Sequence, residues 1–178
     1  MEDILNINGV KYKKVERNKD FKLYDEIRYN GYSWYIIDKK LYSVTLLAKE
    51  CLQGENMQFN NKNDFDWNNS LIKKKLNENF IGAFNEEQLN IMYTNYDENK
   101  YSNDLIRLLT IREAENLPEE IIKCDDTYWT MSPSNFYSWS GDAYVWRVNG
   151  DGRLYRYWTT ATLGVRPVIN LKSEYLNK

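Results

Sequence analysis

The 178-residue sequence predicts an α+β protein: strand-like runs open it, a helical middle follows, and strand-like runs return before the end. Three observations carry that prediction. Two β-branched or aromatic runs occupy 33–47, three helix-start signals lie between 70 and 113, and alternating segments punctuated by Gly, Asn and Pro fill 127–171.

The elements follow in order. Asn6 to Lys22 reads as a short ribbon, with Ile7, Val10, Tyr12 and Val15 its apolar members and Asn8-Gly9 its turn. Ser33–Ile37 and Leu41–Leu47 read as strands joined by Asp38-Lys39-Lys40. Ser70 sits where an N-cap belongs, and Leu71, Ile72, Lys75, Leu76 and Phe80 follow at helical spacing. Asn85-Glu86-Glu87-Gln88 is a second start, with Gln88 at the N3 position of a capping box; Leu89 and Met92 extend its stripe. Leu105–Leu109 reads as a short buried strand. Thr110-Ile111-Arg112-Glu113 is a third capping signal, and Pro118 closes that helix. Thr127–Met131 alternates and stops at Ser132-Pro133. Ala143–Val148 and Arg153–Trp158 flank Asn149-Gly150-Asp151-Gly152, residues that tolerate the positive φ of a hairpin. Gly164–Leu171 is the closing strand. The expected division is an N-terminal ribbon or extension over 1–31 and one domain over 32–178, without repeat or linker.

Composition narrows the function classes. Hydrophobic residues are 42% and charged residues 28%, values of an ordinary globular protein, but aromatics reach 15%, with 15 Tyr and 6 Trp. Such amphipathic rings suit a surface that contacts something; an AT-rich coding genome accounts equally for the abundant Asn. The net charge of −2 offers no global field for nucleic acid. No run of about 20 apolar residues is present to span a membrane. Met1-Glu2-Asp3-Ile4-Leu5 lacks the basic and apolar regions of a signal peptide, so the expected origin is a bacterial cytoplasm, with export only by lysis or within a particle.

Catalysis has little foothold. There is no histidine, which removes the commonest general base and metal ligand. Neither a G-x-x-x-x-G-K-[ST] nor a G-x-G-x-x-G run occurs. The carboxylate pairs Asp64/Asp66, Glu86/Glu87, Glu119/Glu120 and Asp125/Asp126 read as helix starts and loops before they read as a glycosidase pair. The loop Asn60–Asp66 has oxygen ligands at alternate positions, but the Phe65 and Ile72 positions break the calcium-loop pattern, so no metal and no cofactor are expected. Cys51 and Cys124 allow one disulfide arithmetically; the missing export signal favours two reduced, buried thiols.

Several motifs recur together in a known family. Trp67-Asn68-Asn69-Ser70, then Leu76-Asn77, Phe80 and Phe84-Asn85-Glu86-Glu87, then Leu108–Ala114, Tyr128–Ser132 and Gly164–Leu171, resemble in order a domain of unknown function common in Firmicutes and their phages. The match spans 32–171, and Met131 stands where the family usually has Arg. That family is similar to the C-type-lectin-like fold of the formylglycine-generating-enzyme type and of retroelement variable proteins. The resemblance implies mixed antiparallel sheets with two to three short helices, termini brought into one sheet and a ligand face on the late strands. It implies no catalysis, since no matching cysteine pair is evident and no calcium-lectin ligand run is present. Trp67, Ser70, Gly164, Arg166 and Pro167 are its structural motif positions. Gly164 admits a backbone that Ala would resist, Arg166 offers five donors to pin loops to the sheet, and Pro167 suits a strand entry.

The candidate contact surface lies in 136–162. Tyr137, Trp139, Tyr144, Trp146, Arg147, Arg153, Tyr155 and Tyr157 are the expected partner-binding residues, with Phe136, Arg156 and Trp158 beside them. Alternation puts Tyr144, Trp146 and Val148 on one side, and likewise Tyr155 with Tyr157; Val145 and Arg147 take the other side, as do Leu154, Arg156 and Trp158. The stretch reads equally as an exposed contact surface or as a sheet of cross-strand aromatic pairs. Three functions follow: a non-catalytic module of a phage or phage-like particle that contacts a host glycan or protein; a structural tail, baseplate or capsid-decorating subunit whose aromatic face meets neighbouring subunits; and, weakest, an enzyme. The expectation is an oligomeric virion-associated protein with no nucleic-acid partner and no membrane span. Ligand identity and copy number are not encoded legibly.

Overall fold

The structure is a computed structural model, and it describes residues 4–7, 10–13, 21–94, 104–137 and 141–177, with side chains described from 21 onward except at 135–137 and 177. The fold is mixed α+β with mostly antiparallel sheets and short helices. Strands β1 (Ile4–Ile7) and β2 (Val10–Lys13) pair antiparallel, Ile7 opposite Val10; the expected Asn8-Gly9 turn, and Val15, lie outside the described residues.

A six-stranded sheet forms the body. β3 (Glu26–Tyr29), β4 (Tyr32–Lys39), β5 (Ser43–Ala48), β13 (Val168–Lys172) and β7 (Met92–Tyr93) run in that spatial order, and β8 (Ile106–Arg107) also pairs with β13. Because β3 precedes residue 32 and pairs with β4, the segment just before the expected main domain belongs to the same sheet. β5 and β13 are central. On β5, Leu46 packs into one apolar cluster and Leu47 into a second on the opposite face; Ile169 and Val168 of β13 divide the same way. Continuous apolar runs are what a strand covered on both faces requires. Asp38 and Lys39 complete β4 instead of forming the connection, and Leu41 and Tyr42 stand out in the turn, 78% and 72% exposed.

The helical middle begins as expected. Asp66 caps a 3-10 turn at Trp67–Asn69, and Ser70 then caps α1 (Leu71–Lys74), its hydroxyl accepting from Lys73 N at 3.0 Å. The helix widens to a π turn at Lys75–Asn79 and tightens to a 3-10 turn at Phe80–Ala83. Ile72 and Leu76 are its fully buried residues. The Asn77 amide pairs with the Ile106 backbone as a strand would, donating to the carbonyl at 2.8 Å and accepting from the N–H at 3.2 Å. Both later capping boxes are present: Asn85 with Gln88 starts α2 (Glu86–Asn90), and Thr110 with Glu113 starts α3 (Ile111–Asn116). Met92 continues into a strand, not into α2. Pro118 does not only close α3; it is the N-cap residue of α4 (Glu119–Ile122).

A three-stranded sheet, β11 (Leu154–Trp158), β10 (Ala143–Val148) and β9 (Tyr128–Tyr137), packs over the body. β9 runs through Ser132-Pro133 where a stop was expected. Register shifts on either side of the Pro133–Val145 pair let the strand carry a residue without an N–H donor. β6 (Met57–Gln58) and β12 (Thr162–Leu163) make a small ribbon. The closing strand is shorter than the expected 164–171, because Gly164 to Pro167 approach it without joining it. Trp34, Phe59, Trp67, Ile72, Leu76 and Trp129 form the main core between the two sheets and the helix.

Candidate functional site

The β10–β11 hairpin turns differently from the reading that pairs Tyr144 and Trp146 with the two tyrosines of the next strand. Gly152, at φ 85°, closes a three-residue loop with Asn149 N–H donating to Arg153 O at 2.9 Å. Val148 therefore pairs with Leu154, Trp146 with Arg156 and Tyr144 with Trp158. A one-residue change of register exchanges the faces of a whole strand. Tyr144, Trp146, Arg156 and Trp158 share one face, while Val145, Arg147, Tyr155 and Tyr157 share the other. The expected site set is thus split, and Trp158 and Arg156, outside that set, sit opposite Tyr144 and Trp146. The glycine at the third loop position was the signal for a three-residue loop.

The two faces meet around the exposed edge strand β11. The Arg147 guanidinium lies 4.3 Å from the Tyr157 ring centre and 5.9 Å from that of Tyr155. Tyr157 stacks on Trp158 at 4.7 Å, 26° from parallel, and Trp158 meets Tyr144 edge-on at 6.3 Å. Arg156 covers Trp146 at 5.1 Å. Tyr155 and Trp158 are each 44% exposed, whereas Tyr157 packs against the main core and Val145 is fully buried. The outer end of this cluster is therefore open and its inner end anchored. Arg147 Nε is buried with no hydrogen-bond partner among the described residues, so its rings are its neutralising surroundings. Arg153 stands in the loop beside Asp151. The Tyr137 side chain and all of Trp139 lie outside the described residues.

The motif residues of the closing segment meet at a different place. Arg166 is fully buried and spends all of its fork. Its Nε donates to Ala48 O at 2.8 Å, Nη1 to Ile122 O at 3.0 Å and Tyr128 Oη at 2.9 Å, and Nη2 to Lys49 O at 3.0 Å and Ile121 O at 2.9 Å. Tyr128 passes a hydrogen bond on to Ile122 O at 2.6 Å, and burial pushes its hydroxyl up to about 12. Gly164 is not in the left-handed region; a close approach explains it, since a Cβ there would lie 2.9 Å from Cys51 Sγ and 3.1 Å from Thr127 O. Pro167 is buried beside β13, its carbonyl accepting from Ala48 N at 2.9 Å. Trp67 donates from its indole to Asp104 at 2.9 Å.

The carboxylates that invite a catalytic reading have local tasks. Asp64 accepts from Asp66 N at 2.8 Å and Asn69 Nδ2 at 3.0 Å, and Asp66 accepts from Asn68 N at 2.9 Å. Glu86/Glu87 and Glu119/Glu120 lie in first helical turns. Among the described residues no three His, Cys, Asp or Glu side chains converge to hold a metal ion, and no helix is long and apolar enough to cross a membrane. Comparisons with family models, with curated proteins and with solved structures each return no match.

Proposed function

We propose that the chain is a non-catalytic binding module with a C-type-lectin-like architecture, and that it meets its partner through the β11 edge. The observation that carries this reading is the continuous cluster Arg147–Tyr157–Trp158–Tyr144, with Arg156 on Trp146 beside it. Half-exposed rings held rigid by an anchored neighbour lose little entropy on contact, and Tyr, Trp and Arg dominate binding energy at interfaces. Their flat faces suit a sugar ring or a protein anchor. The resemblance over 32–171 to a domain of Firmicutes and their phages points to a phage or phage-like particle, and to a host-surface glycan or protein as the partner. The closing strand's central place in the sheet that also holds β3 and β4 supports the architecture.

A second reading is a structural particle subunit whose aromatic face meets a neighbouring subunit. Among the described residues no strand pairs with the outer side of β11, and this favours it, because an edge strand exposes main-chain groups that another chain can pair with.

The test is titration calorimetry of the protein with purified cell-wall polysaccharide from a Firmicutes bacterium. Trp158→Ala and Tyr155→Ala are expected to weaken binding at least ~10-fold with unchanged unfolding midpoints. Affinity unchanged in both variants removes the β11 edge as the site. No binding by the parent, together with concentration-dependent assembly that Trp158→Ala abolishes, selects the subunit reading.

A further inference from the structure

Two segments remote in sequence converge on Arg166: 48–49, at the end of β5, and 121–122, in α4. Its guanidinium ties them through four main-chain carbonyls. Two residues beyond each segment stands a cysteine. Cys51 and Cys124 are both free and buried, and their sulfurs lie 3.7 Å apart across a sequence separation of 73. That is van der Waals contact; a disulfide needs the sulfurs about 1.7 Å closer, a movement within reach of side-chain rotation. Gly164 passes directly against Cys51 Sγ and leaves room for it, as no other residue type would.

We propose that Cys51 and Cys124 are a peroxide-responsive thiol pair that closes to a reversible intramolecular disulfide, joining covalently the two segments that Arg166 already joins by hydrogen bonds.

The roles within the pair differ. The groups that face it are Arg166, Glu50, Asp126 and Tyr128. A hydrogen bond from the Cys51 thiol, the Asp126 N–H and the nearby Arg166 cation hold Cys124 down to about 6 against the opposing effect of burial, while the same hydrogen bond and burial push Cys51 up. Of the two, Cys124 is therefore the thiol that ionises more readily. The Cys124 thiol donates to the Glu50 carboxylate at 3.8 Å, which takes the proton when Cys124 ionises. Cys51 and Glu50, the residue against Cys124, both line an open cavity of about 620 Å³, so a small oxidant that enters it reaches the pair.

With hydrogen peroxide the steps balance. The Cys124 thiolate attacks one peroxide oxygen and the O–O bond breaks; the leaving hydroxide takes up the proton that Cys124 gave to Glu50 and departs as water, and Cys124 becomes a sulfenic acid. The Cys51 sulfur then attacks Cys124 Sγ, the S–O bond breaks, and the departing hydroxyl takes the Cys51 proton as water. Two thiols are oxidised to one disulfide, and one peroxide is reduced to two waters.

The experiment treats the folded full-length protein with one equivalent of hydrogen peroxide and reads intact mass, free thiols and a peptide map. The expected result is a mass loss of about 2 Da, no remaining thiol, a crosslinked Cys51–Cys124 peptide, and reversal by dithiothreitol. The oxidised form is expected to melt roughly 5–15 °C higher, since the crosslink closes a long loop in native geometry. Cys51→Ser is expected to stop at a sulfenic acid that dimedone traps, and Cys124→Ser to keep its thiol at the same peroxide dose. Mass gain by oxygen without a crosslink overturns the proposal. So does a crosslink between two molecules, an oxidised form that melts no higher, or a Cys124→Ser variant as reactive as Cys51→Ser. The binding assay of the β11 edge is independent of every one of these readouts.

Discussion

Arg166 offers the sharpest test of how this fold is held. It is a buried cation with no carboxylate on it: its five hydrogen bonds go to four main-chain carbonyls and one hydroxyl, and the Tyr128 ring lies 5.1 Å from the guanidinium carbon. Replacing a buried ion pair by apolar residues is often harmless when both charged partners go. Here four of the five acceptors are backbone carbonyls and cannot be removed. Arg166→Met would leave acceptors of both segments buried without their donor, at about 1 kcal/mol each or more, for a loss of about 5 kcal/mol. A domain of ordinary stability, roughly 5–15 kcal/mol, would then be near its limit. Arg166→Lys keeps the charge but concentrates three donors at one point, which cannot span both segments; the expected loss is about 2–3 kcal/mol. Urea unfolding followed by the fluorescence of the buried Trp34, Trp67 and Trp129 reads both variants. An Arg166→Met variant within about 1 kcal/mol of the parent would refute the reasoning, because five satisfied bonds would then be worth no more than one.

Two further predictions concern neighbours of that region. Glu113 takes Arg107 on both oxygens, at 2.7 and 2.5 Å, and accepts from Thr110 N at 2.8 Å. Burial raises its carboxyl, but Arg107 and the Thr110 bonds outweigh this and hold it below the usual carboxylate range. Its stabilisation is therefore complete above the unfolded value, near pH ~4.3, and drains as the pH falls through the lower folded value. Glu113→Gln is expected to cost about 2 kcal/mol at neutral pH and to lose less than the parent on acidification, as urea midpoints between pH 7 and pH 3 will read. Gly164→Ala is expected to cost about 1–3 kcal/mol by overpacking against Cys51 and the Thr127 carbonyl, a loss visible as a lower melting temperature; Cys51→Ala in the same chain should recover part of it.

What could be read from the sequence was the chemistry that acts over a few residues. Ser70, Asn85 with Gln88, and Thr110 with Glu113 all cap helices, because a cap is closed by groups three residues apart and needs no tertiary partner. The α+β class followed from the same local signals. Elements set by distant partners were not legible. Pro133 reads as a stop, yet β9 passes through it because β10 supplies a bulged register. Gly164 reads as a conformational glycine, yet the need is space beside Cys51, 113 positions away in the chain numbering and invisible to a local reading. The candidate site was legible in residue type and not in geometry. A three-residue loop closed by Gly152, in place of the four-residue turn 149–152, moved Arg156 and Trp158 opposite Trp146 and Tyr144, and put Tyr155 and Tyr157 with Arg147.

The arginines of 147–166 show why topology, not composition, assigns their tasks. Arg147, Arg156 and Arg166 each lie against an aromatic ring, at 4.3, 5.1 and 5.1 Å. By residue type and nearest contact they are equivalent. Arg166 precedes β13, which is flanked by β5 on one side and by β7 and β8 on the other, so main-chain carbonyls of surrounding segments enclose its fork and consume its donors. Arg156 lies on β11, an end strand of its sheet among the described residues, and Arg147 faces rings of that same strand. A guanidinium on a ring meets its charge through the ring's face, whereas one enclosed by carbonyls also spends every donor of its fork. On the proposed reading, the strand that places Tyr155 and Trp158 half in solvent meets the partner, while the fully enclosed group at 166 holds the structure together.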